Sequence, residues 1–436
     1  MTHRKATIFT RRQFLRTLGV TAGALAAGPA LSACGATALT AAPAATAVPP
    51  TAALTSVPAP TAVPTVAAPS LKIGVLLPYT DIYAALGENI TAGMEMYFEE
   101  AGGVAGGRTI KVIKEDEGTA PDKALEKARK LVEQDEVDFV TGIVSSGVLA
   151  GVRDYFDSNK KLLICSNAGA NALSRGAKTP YIWRTSFTNW QPNWPVGTWA
   201  AENVGKKAYI SVPDYGAGAN TITAFQNSFE AAGGTIIGVQ KTPFPNMGDP
   251  APFITELAAA NPELVYCFYS GGAAVTFMKA WGELGLAGQI PLMSSGFMVE
   301  EDVLPAEGDA ALGVRSGLHW ALSLDNADNA KFTEAYKART GKDANVFAVQ
   351  GYDTGRAIVE MINAVEGDTS DVDALIDALG GISFPSPRGT FALDANSQAP
   401  KQHIYLREVQ NVGGALHNVV IEDLGEIVDP GDDSKG

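Results

Sequence analysis

The stretch Leu71-Lys72-Ile73-Gly74-Val75-Leu76-Leu77 decides the fold of this chain. Its nearly continuous apolar run is typical of a buried strand in a parallel sheet. A helix is predicted next, because apolar residues recur at helical spacing before Gly102-Gly103, namely Met94, Tyr97, Phe98 and Ala101. A strand followed by such a helix is the first half of a βαβ unit.

The same alternation of strands and helices continues along the chain. Further strands are predicted at residues 109–114, 137–142, 162–166 and 181–184. The pattern restarts at Lys207-Ala208-Tyr209-Ile210-Ser211-Val212 and continues with strands at residues 235–239 and 264–268. Two such runs predict an α/β fold with two doubly wound parallel-sheet lobes and a cleft at the carboxyl ends of their strands. Later helices are predicted at residues 326–339 and 346–365, and later strands at residues 402–409 and 416–421.

The first 34 residues read as an export signal. Thr10-Arg11-Arg12-Gln13-Phe14-Leu15-Arg16 resembles a twin-arginine signal, and Leu31-Ser32-Ala33-Cys34 resembles a bacterial lipobox with Cys34 as the acylated residue. A transmembrane anchor is the weaker alternative, because residues 17–33 are mostly Ala, Gly and Thr. Residues 35–70 are rich in Ala, Thr and Pro and predict a disordered spacer. We therefore expect an extracytoplasmic protein on a lipid anchor.

Composition excludes several classes of function. Removal of residues 1–34 takes five basic residues from the 33 in the chain and leaves 28 against 47 acidic ones, a net charge of −19. So acidic a body is a poor partner for nucleic acid. Cys165 and Cys267 lie in apolar runs of different lobes, which predicts two free buried thiols. The four histidines are scattered, so we expect no metal and no cofactor.

Several segments in order carry a family likeness. They are residues 73–78, 142–147, Ser166-Asn167-Ala168-Gly169, Trp183-Arg184-Thr185-Ser186, residues 213–218 and Val349-Gln350-Gly351-Tyr352-Asp353. In these segments residues 71–425 resemble the periplasmic solute-binding proteins of the Leu/Ile/Val-binding type, the type I binding proteins that feed ABC importers. The resemblance implies a small-molecule ligand, ABC permease and ATPase subunits as partners, and a monomeric protein that is not an enzyme.

With the resemblance, the restart of the pattern predicts the lobes. Residues 71–186 and 322–395 are expected to form one lobe, and residues 188–320 and 398–425 the other. The chain then crosses between lobes three times, which makes a three-stranded hinge. Residues 426–436 are expected to form a disordered acidic tail.

The resemblance also implies a ligand site. In the family a serine hydroxyl and backbone N–H groups at a helix start hold the ligand's carboxylate, which corresponds here to Ser145, Ser146 and the loop Ala168-Gly169-Ala170. A helix start favours an anion on physical grounds as well, although a serine there is also an ordinary helix cap. Tyr215 corresponds to an aromatic residue that covers the ligand. Tyr79, Tyr83 and Tyr352 are expected on loops facing the same cleft, with core packing as the alternative.

One departure from the family concerns ligand class. Members that bind α-amino acids pair the ammonium with a glutamate, and this chain has Ser295 in that segment. A buried ammonium without a carboxylate is costly, so unless Asp81 or Asp214 takes over, the ligand is expected to lack an α-amino group. Amino acids, small organic acids, aromatic acids and amides all remain open at this point.

Two other functions compete with transport. A ligand-sensing receptor on the same fold is the alternative binding function. An enzyme is disfavoured, because the sequence has no Gly-x-Ser-x-Gly elbow, no His-Glu-x-x-His and no Walker loop.

Overall fold

The structure is a computed structural model that describes residues 69–435. The predicted signal segment with Cys34, and nearly all of the spacer, lie outside the described residues. Between residues 69 and 435 the chain forms two sheets, each covered by helices. The prediction of an α/β fold with two parallel-sheet lobes is confirmed.

The first lobe contains a six-stranded sheet. Its strands are β1 (Leu71–Leu77), β2 (Val104–Ala105), β3 (Arg108–Asp116), β4 (Phe139–Gly142), β5 (Leu163–Cys165) and β6 (Ile182–Arg184). Their order across the sheet is β2-β3-β1-β4-β5-β6, and every pairing except that of β2 with β3 is parallel. The segment Leu71–Leu77 is therefore central, which is why six of its seven residues are buried.

Helices from two parts of the chain cover this sheet. They are α1 (Ala84–Glu100), α2 (Pro121–Arg129), α3 (Ser146–Ser158), and further along the chain α9 (Ala327–Thr340), α10 (Val346–Ala364) and α11 (Val372–Gly380). Helices α1 and α10 pack with their backbones almost in contact. A Cβ atom at Gly93 would lie 2.0 Å from the Ala348 carbonyl oxygen, and one at Gly351 would lie 1.9 Å from that of Ile90. Glycine is required at both positions by this close approach.

The second lobe contains the larger sheet. Its strands are β7 (Lys207–Pro213), β8 (Thr235–Thr242), β9 (Leu264–Cys267), β10 (Leu292–Ser295), β11 (Arg315–Leu318), β12 (Ser383–Ser386), β13 (Gly389–Asp394), β14 (Ala399–Val412) and β15 (Ala415–Ile427). The order is β12-β13-β14-β11-β10-β9-β7-β8, with β15 paired to β14. Helices α4 (Trp190–Asn203), α5 (Gly216–Ala231), α6 (Ala251–Ala259), α7 (Gly272–Glu283) and α8 (Leu304–Glu307) belong to this part of the chain.

The hinge is held by a buried arginine. Arg388, in the turn between β12 and β13, donates to the carbonyl oxygens of Thr185 (2.6 Å) and Ser186 (2.9 Å), where the chain leaves the first sheet. The same guanidinium donates to Asp353 of α10 (2.7 Å) and to Gln402 of β14 (2.9 Å). One side chain thus joins segments of both lobes where the chain passes between them.

The structure differs from the sequence prediction in three places. Helix α11 and the hairpin β12–β13 were not predicted, although α11 begins after the capping residue Asp371 and buries Leu375 and Leu379 at helical spacing. The hairpin pairs with β14, so residues 383–394 belong to the larger sheet rather than to the first lobe's sheet. The expected disordered tail is wrong, because β15 reaches Ile427 and the buried Asp429 pairs with Arg175 at 3.2 Å and accepts from Thr188 at 2.7 Å.

Cysteine usage follows the prediction. Cys165 on β5 and Cys267 on β9 are buried and free, and they lie in different sheets. Burial raises the pKa of the Cys165 thiol to about 12. Neither thiol is therefore reactive at neutral pH.

Candidate functional site

A small cavity lies between the two lobes. Its volume is about 20 Å³, so the walls contributed by the two lobes lie close together. The first lobe and the first crossing contribute Tyr83, Leu86, Val144, Ser146, Asn167, Gly169, Phe187, Asn189 and Phe347. The second lobe contributes Tyr215, Ala217, Phe268, Ser270 and Phe297. The cavity therefore lies at the carboxyl ends of the strands, where the sequence places a cleft.

Aromatic rings form much of the wall. Phe187 and Phe297 have ring centroids 4.8 Å apart, Phe268 meets Phe297 edge-on at 6.4 Å, and Phe347 stacks on Phe297 at 6.0 Å. These side chains come from both lobes and are buried. Such a wall favours a flat apolar group, because rings attract one another in stacked and edge-on arrangements.

Polar groups are concentrated where α3 begins. Ser146 is the first residue of the helix and lines the cavity, and the Asn189 side-chain amide donates to its hydroxyl at 3.3 Å. Among residues 69–435 the N–H groups of Ser146 and Gly147 have no hydrogen-bond acceptor. Unpaired N–H groups at the positive end of a helix form a natural site for an anion.

The loop after β5 forms the other side of this polar end. Gly169 lines the cavity, and its carbonyl oxygen accepts from the Asn189 N–H. A Cβ at Gly169 would lie 2.5 Å from the Asn189 side-chain oxygen, so only glycine fits there. Asn167 also lines the cavity and donates to Gln350 of α10 at 2.6 Å. These contacts hold the loop against the start of the hinge.

Two tyrosines close the cavity across the lobes. The hydroxyl groups of Tyr83, in the first lobe, and Tyr215, in the second, are 3.1 Å apart. Tyr215 stacks on Phe244 at 4.1 Å with an angle of 6° between the rings. Burial raises the pKa of both tyrosines well above the usual value, so both hydroxyls stay protonated at neutral pH. A further contact, from the Asn171 N–H to Asn220 at 3.1 Å, also joins the lobes.

The structure brings together four of the residues expected at the site. Ser146, Gly169, Tyr83 and Tyr215 line the cavity. Ala168 and Ala170 flank Gly169 but are not on the wall, because the Ala168 N–H donates to Ile143 and the Ala170 carbonyl accepts from Arg184.

Four other expected residues are placed differently. Ser145 caps α3 by accepting from the Val148 N–H, and its own N–H donates to Glu117 at 2.7 Å. Tyr79 is engaged by Thr91 at 2.8 Å, and Ser295 is fully buried at the end of β10, away from the wall. The expectation that Tyr352 lies on a loop at the cleft is wrong. It lies in α10 and donates to Glu100 at 2.7 Å in a separate surface depression.

Other lining residues were not identified from the sequence. Asn189, Ser270 and the four phenylalanines come from separate segments, and the fold alone brings them to one wall. One lining residue had a visible signal, since Asn167 lies in the segment Ser166-Asn167-Ala168-Gly169 that carries the family likeness. Asn189 had none, because its role depends on contacts with both Ser146 and the loop at Gly169.

The wall of the cavity contains no carboxylate. None of its lining residues is Asp or Glu. Asp214 pairs with Lys241 at 3.2 Å on the surface, and Asp81 lies in a different depression beside Pro245 and Met247. Neither therefore replaces the missing partner of an ammonium group.

The fold and the cavity define a class of protein: two α/β lobes with a small-molecule cavity between them. The chain belongs to the periplasmic binding protein family, whose sequence profile matches residues 70–415. It is similar to Leu/Ile/Val-binding protein homolog 6 of Brucella melitensis, with 32% identity over 367 residues, which are 83% of this chain and 93% of that protein. The family resemblance found in the sequence is confirmed.

Solved structures agree. A solute-binding protein of an ABC transporter from R. palustris, solved in complex with benzoate, has 36% identity and a TM-score of 0.79, covering 83% of this chain and 99% of its own. Another from Rhodopseudomonas palustris, in complex with 3,4-dihydroxy benzoic acid, has 32% identity, a TM-score of 0.79 and the same coverage of both chains. A leucine-binding protein from Thermotoga maritima shares the fold, with 19% identity and a TM-score of 0.71 over 80% of this chain and 98% of its own.

From residue 69 to residue 435 no helix has both the length and the hydropathy that crossing a bilayer requires.

Replacing Tyr83 by Phe tests the closing contact. The variant leaves the Tyr215 hydroxyl without its partner in the closed form only, which should shift the closed–open equilibrium toward the open form by about 1 kcal/mol. Small-angle X-ray scattering of the ligand-free protein should then show a larger radius of gyration. Tyr79→Phe is the matched control, because the Tyr79 hydroxyl bonds Thr91 within the same lobe. Equal scattering curves for Tyr83→Phe and the control would contradict the role of the Tyr83–Tyr215 contact in closing the cleft.

Proposed function

We propose that this protein is the extracytoplasmic binding component of an ABC importer and that it captures an aromatic monocarboxylate by lobe closure. The observation that carries the proposal is the composition of the cavity wall. Aromatic rings from both lobes line the cavity, and the polar groups gather at the start of α3. A ligand that matches this wall has one anionic end and one flat apolar end.

The anionic end is proposed to dock at Ser146. The Ser146 hydroxyl and the N–H groups of Ser146 and Gly147 offer donors, and the Asn189 side-chain amide holds the Ser146 hydroxyl by donating to it. The helix dipole supplies favourable potential at the same place. The N–H of Gly169, which has no acceptor between residues 69 and 435, faces the docked group from the opposite loop.

The apolar end is proposed to lie among Phe187, Phe268, Phe297 and Phe347. A benzene ring in this position would continue the stacked and edge-on contacts that the four rings already make. The similar proteins that were solved with benzoate and with 3,4-dihydroxy benzoic acid support an aromatic acid for this chain as well.

Export and anchoring complete the proposal. Residues 10–16 and the Leu31-Ser32-Ala33-Cys34 segment support export with a lipid on Cys34, followed by residues 35–70 as a spacer to the membrane. The protein would act as a monomer and deliver its ligand to a permease with ATPase subunits. A ligand-sensing receptor on the same fold has the same site and differs only in its partner.

Calorimetry with paired ligands tests the ligand class. Benzoate should bind and leucine should not, because the cavity offers a carboxylate site but no acidic side chain for an ammonium. Cyclohexanecarboxylate carries the same charge as benzoate but has no aromatic ring, so comparing the two affinities separates ring stacking from simple apolar burial. Benzamide is a neutral isostere of benzoate, so comparing those two affinities isolates the contribution of the negative charge. Strong binding of leucine, with no binding of benzoate, would refute the proposal.

Ser146→Ala tests the docking point. Loss of a hydroxyl that donates to a charged acceptor should weaken benzoate binding by about 1.5 to 3 kcal/mol, or roughly tenfold to a hundredfold. Ser145→Ala is the matched control on the neighbouring residue. Its hydroxyl caps α3, so the variant should lower the melting temperature, through a loss of about 1 kcal/mol, and leave affinity within about threefold. If Ser145→Ala weakened benzoate binding and Ser146→Ala left it unchanged, the ligand would be placed on Ser145 instead.

Cys34→Ala tests the anchor. Without the thiol no lipid can be attached, so the protein should leave the membrane fraction while still binding the same ligand, because the spacer separates anchor and body. Membrane fractionation measures the release of the protein, and calorimetry on the released protein measures ligand binding. A variant that still pellets with membranes would contradict the lipobox assignment.

A further inference from the structure

The tail segment, residues 428–431, returns from the second lobe toward the hinge. It follows β15, and Asp429 is buried within it. The Pro430 carbonyl oxygen accepts from the Asn396 side chain at 3.2 Å, in the turn between β13 and β14. Gly431 has a φ of 75°, and a Cβ there would lie 2.2 Å from the Asn396 side-chain nitrogen. The tail segment is therefore fitted closely against this turn of the second sheet.

The Asp429 carboxylate reaches two other segments of the chain at once. It accepts from the Thr188 hydroxyl at 2.7 Å, in the first crossing. It also accepts from the Arg175 guanidinium at 3.2 and 3.3 Å, in the first lobe. Only 1% of the Arg175 side chain and none of the Asp429 side chain are exposed. Removing the carboxylate would take this buried counter-charge from the guanidinium, which is a costly change.

The first of these segments continues into the polar end of the cavity. Thr188 is fully buried and lies between Phe187 and Asn189, which line the cavity. The Asn189 N–H donates to the Gly169 carbonyl at 2.6 Å, and the Asn189 side-chain amide donates to the Ser146 hydroxyl at 3.3 Å. The crossing is thus held on the cavity side by Asn189 and on the opposite side by Thr188.

The second segment belongs to the loop at Gly169. Arg175 ends the turn 171–174, which follows this loop, and its N–H donates to the Ala172 carbonyl at 3.1 Å. In the same turn the Asn171 side-chain oxygen accepts from the Trp190 N–H at 2.9 Å, at the first residue of α4. The loop and the first crossing therefore meet twice, near the cavity through Asn189 and behind it through Asp429.

We propose that Asp429 is a positioning residue for the ligand site: it holds Thr188 and Arg175 so that Asn189 meets both Ser146 and Gly169. Asp429 itself is not part of the cavity wall. The inference rests on the proposed function, because its consequence is measured as affinity for an aromatic carboxylate. If the two segments lose their common partner, only a fraction of the molecules hold the site in its binding arrangement, and the apparent affinity falls by that fraction.

Asp429→Ala tests the carboxylate. The dissociation constant for benzoate, measured by calorimetry well below the melting temperature, should rise roughly tenfold, because a smaller fraction of the molecules is competent to bind. Asp433→Ala is the matched control. Asp433 pairs with the same Arg175 at 3.5 Å, but 80% of its side chain is exposed. An exposed pair contributes little, so the dissociation constant of this variant should stay within about twofold.

Thr188→Val and Thr188→Ser test the same contact while keeping the Asp429–Arg175 pair. Valine has the shape of threonine without the hydroxyl, so benzoate affinity should fall roughly fivefold, whereas serine keeps the hydroxyl and should stay within about twofold. A residue that only stabilised the fold would lower the melting temperature and leave the affinity of the folded protein unchanged. That result for Asp429→Ala, or equal affinities for Thr188→Val and Thr188→Ser, would overturn the proposal.

Hydrogen exchange without ligand separates this inference from the ligand class. The Asn189 N–H is bonded to the Gly169 carbonyl, so its exchange reports whether the first crossing is held in place. In Asp429→Ala and Thr188→Val the peptide that covers residues 186–191 should exchange roughly fivefold faster than in Asp433→Ala. If benzoate fails to bind the unmodified protein, the ligand class is wrong and the exchange rates decide on Asp429. Equal exchange rates in the three variants would overturn its positioning role by themselves.

Discussion

The buried guanidinium of Arg388 is the contact on which the relation between the two lobes depends. It has hydrogen bonds to the first crossing at Thr185 and Ser186, to α10 through Asp353, and to β14 through Gln402. With only 2% of its side chain exposed, its charge requires all these acceptors. Because the acceptors belong to segments of both lobes, the lobes can bend about this point but cannot separate without leaving the charge unpaired.

Two contacts join the lobes across the cavity. They are the Tyr83–Tyr215 contact and the Asn171–Asn220 contact. Hydrogen bonds of this kind contribute little net free energy, because water replaces them in the open form. A ligand that fills the aromatic wall adds apolar burial to the closed form alone, which is how a small solute shifts such an equilibrium.

The polar end of the cavity is built without arginine or lysine. A turn with the left-handed residue Ile143 precedes α3, and Glu117 accepts from the Val144 and Ser145 N–H groups of this turn. The donors are thereby divided between a structural acceptor and the cavity. Asn189 connects the two polar loops, since it bonds both Ser146 and Gly169.

The sequence by itself determined the layer architecture, because strand and helix periodicity is local and the central run Leu71–Leu77 is buried on both faces. It also located the start of α3, Tyr83 and Tyr215, and the absence of an acidic partner at Ser295. Only the tertiary structure decided which of these residues line the cavity. Ser145 and Ser146 are adjacent in sequence, yet a single turn of backbone directs one into the helix cap and the other to the cavity.

Long-range packing decided the rest. Tyr352 has the sequence context of a cleft residue, but the close approach of α10 to α1 directs it toward Glu100. Hairpin β12–β13 and the tail at Asp429 are ordered by Arg388 and Arg175, which are distant in sequence from most of their partners. The aromatic wall likewise joins residues from both lobes. Local pattern cannot show these pairings, because each joins residues that are far apart in the sequence.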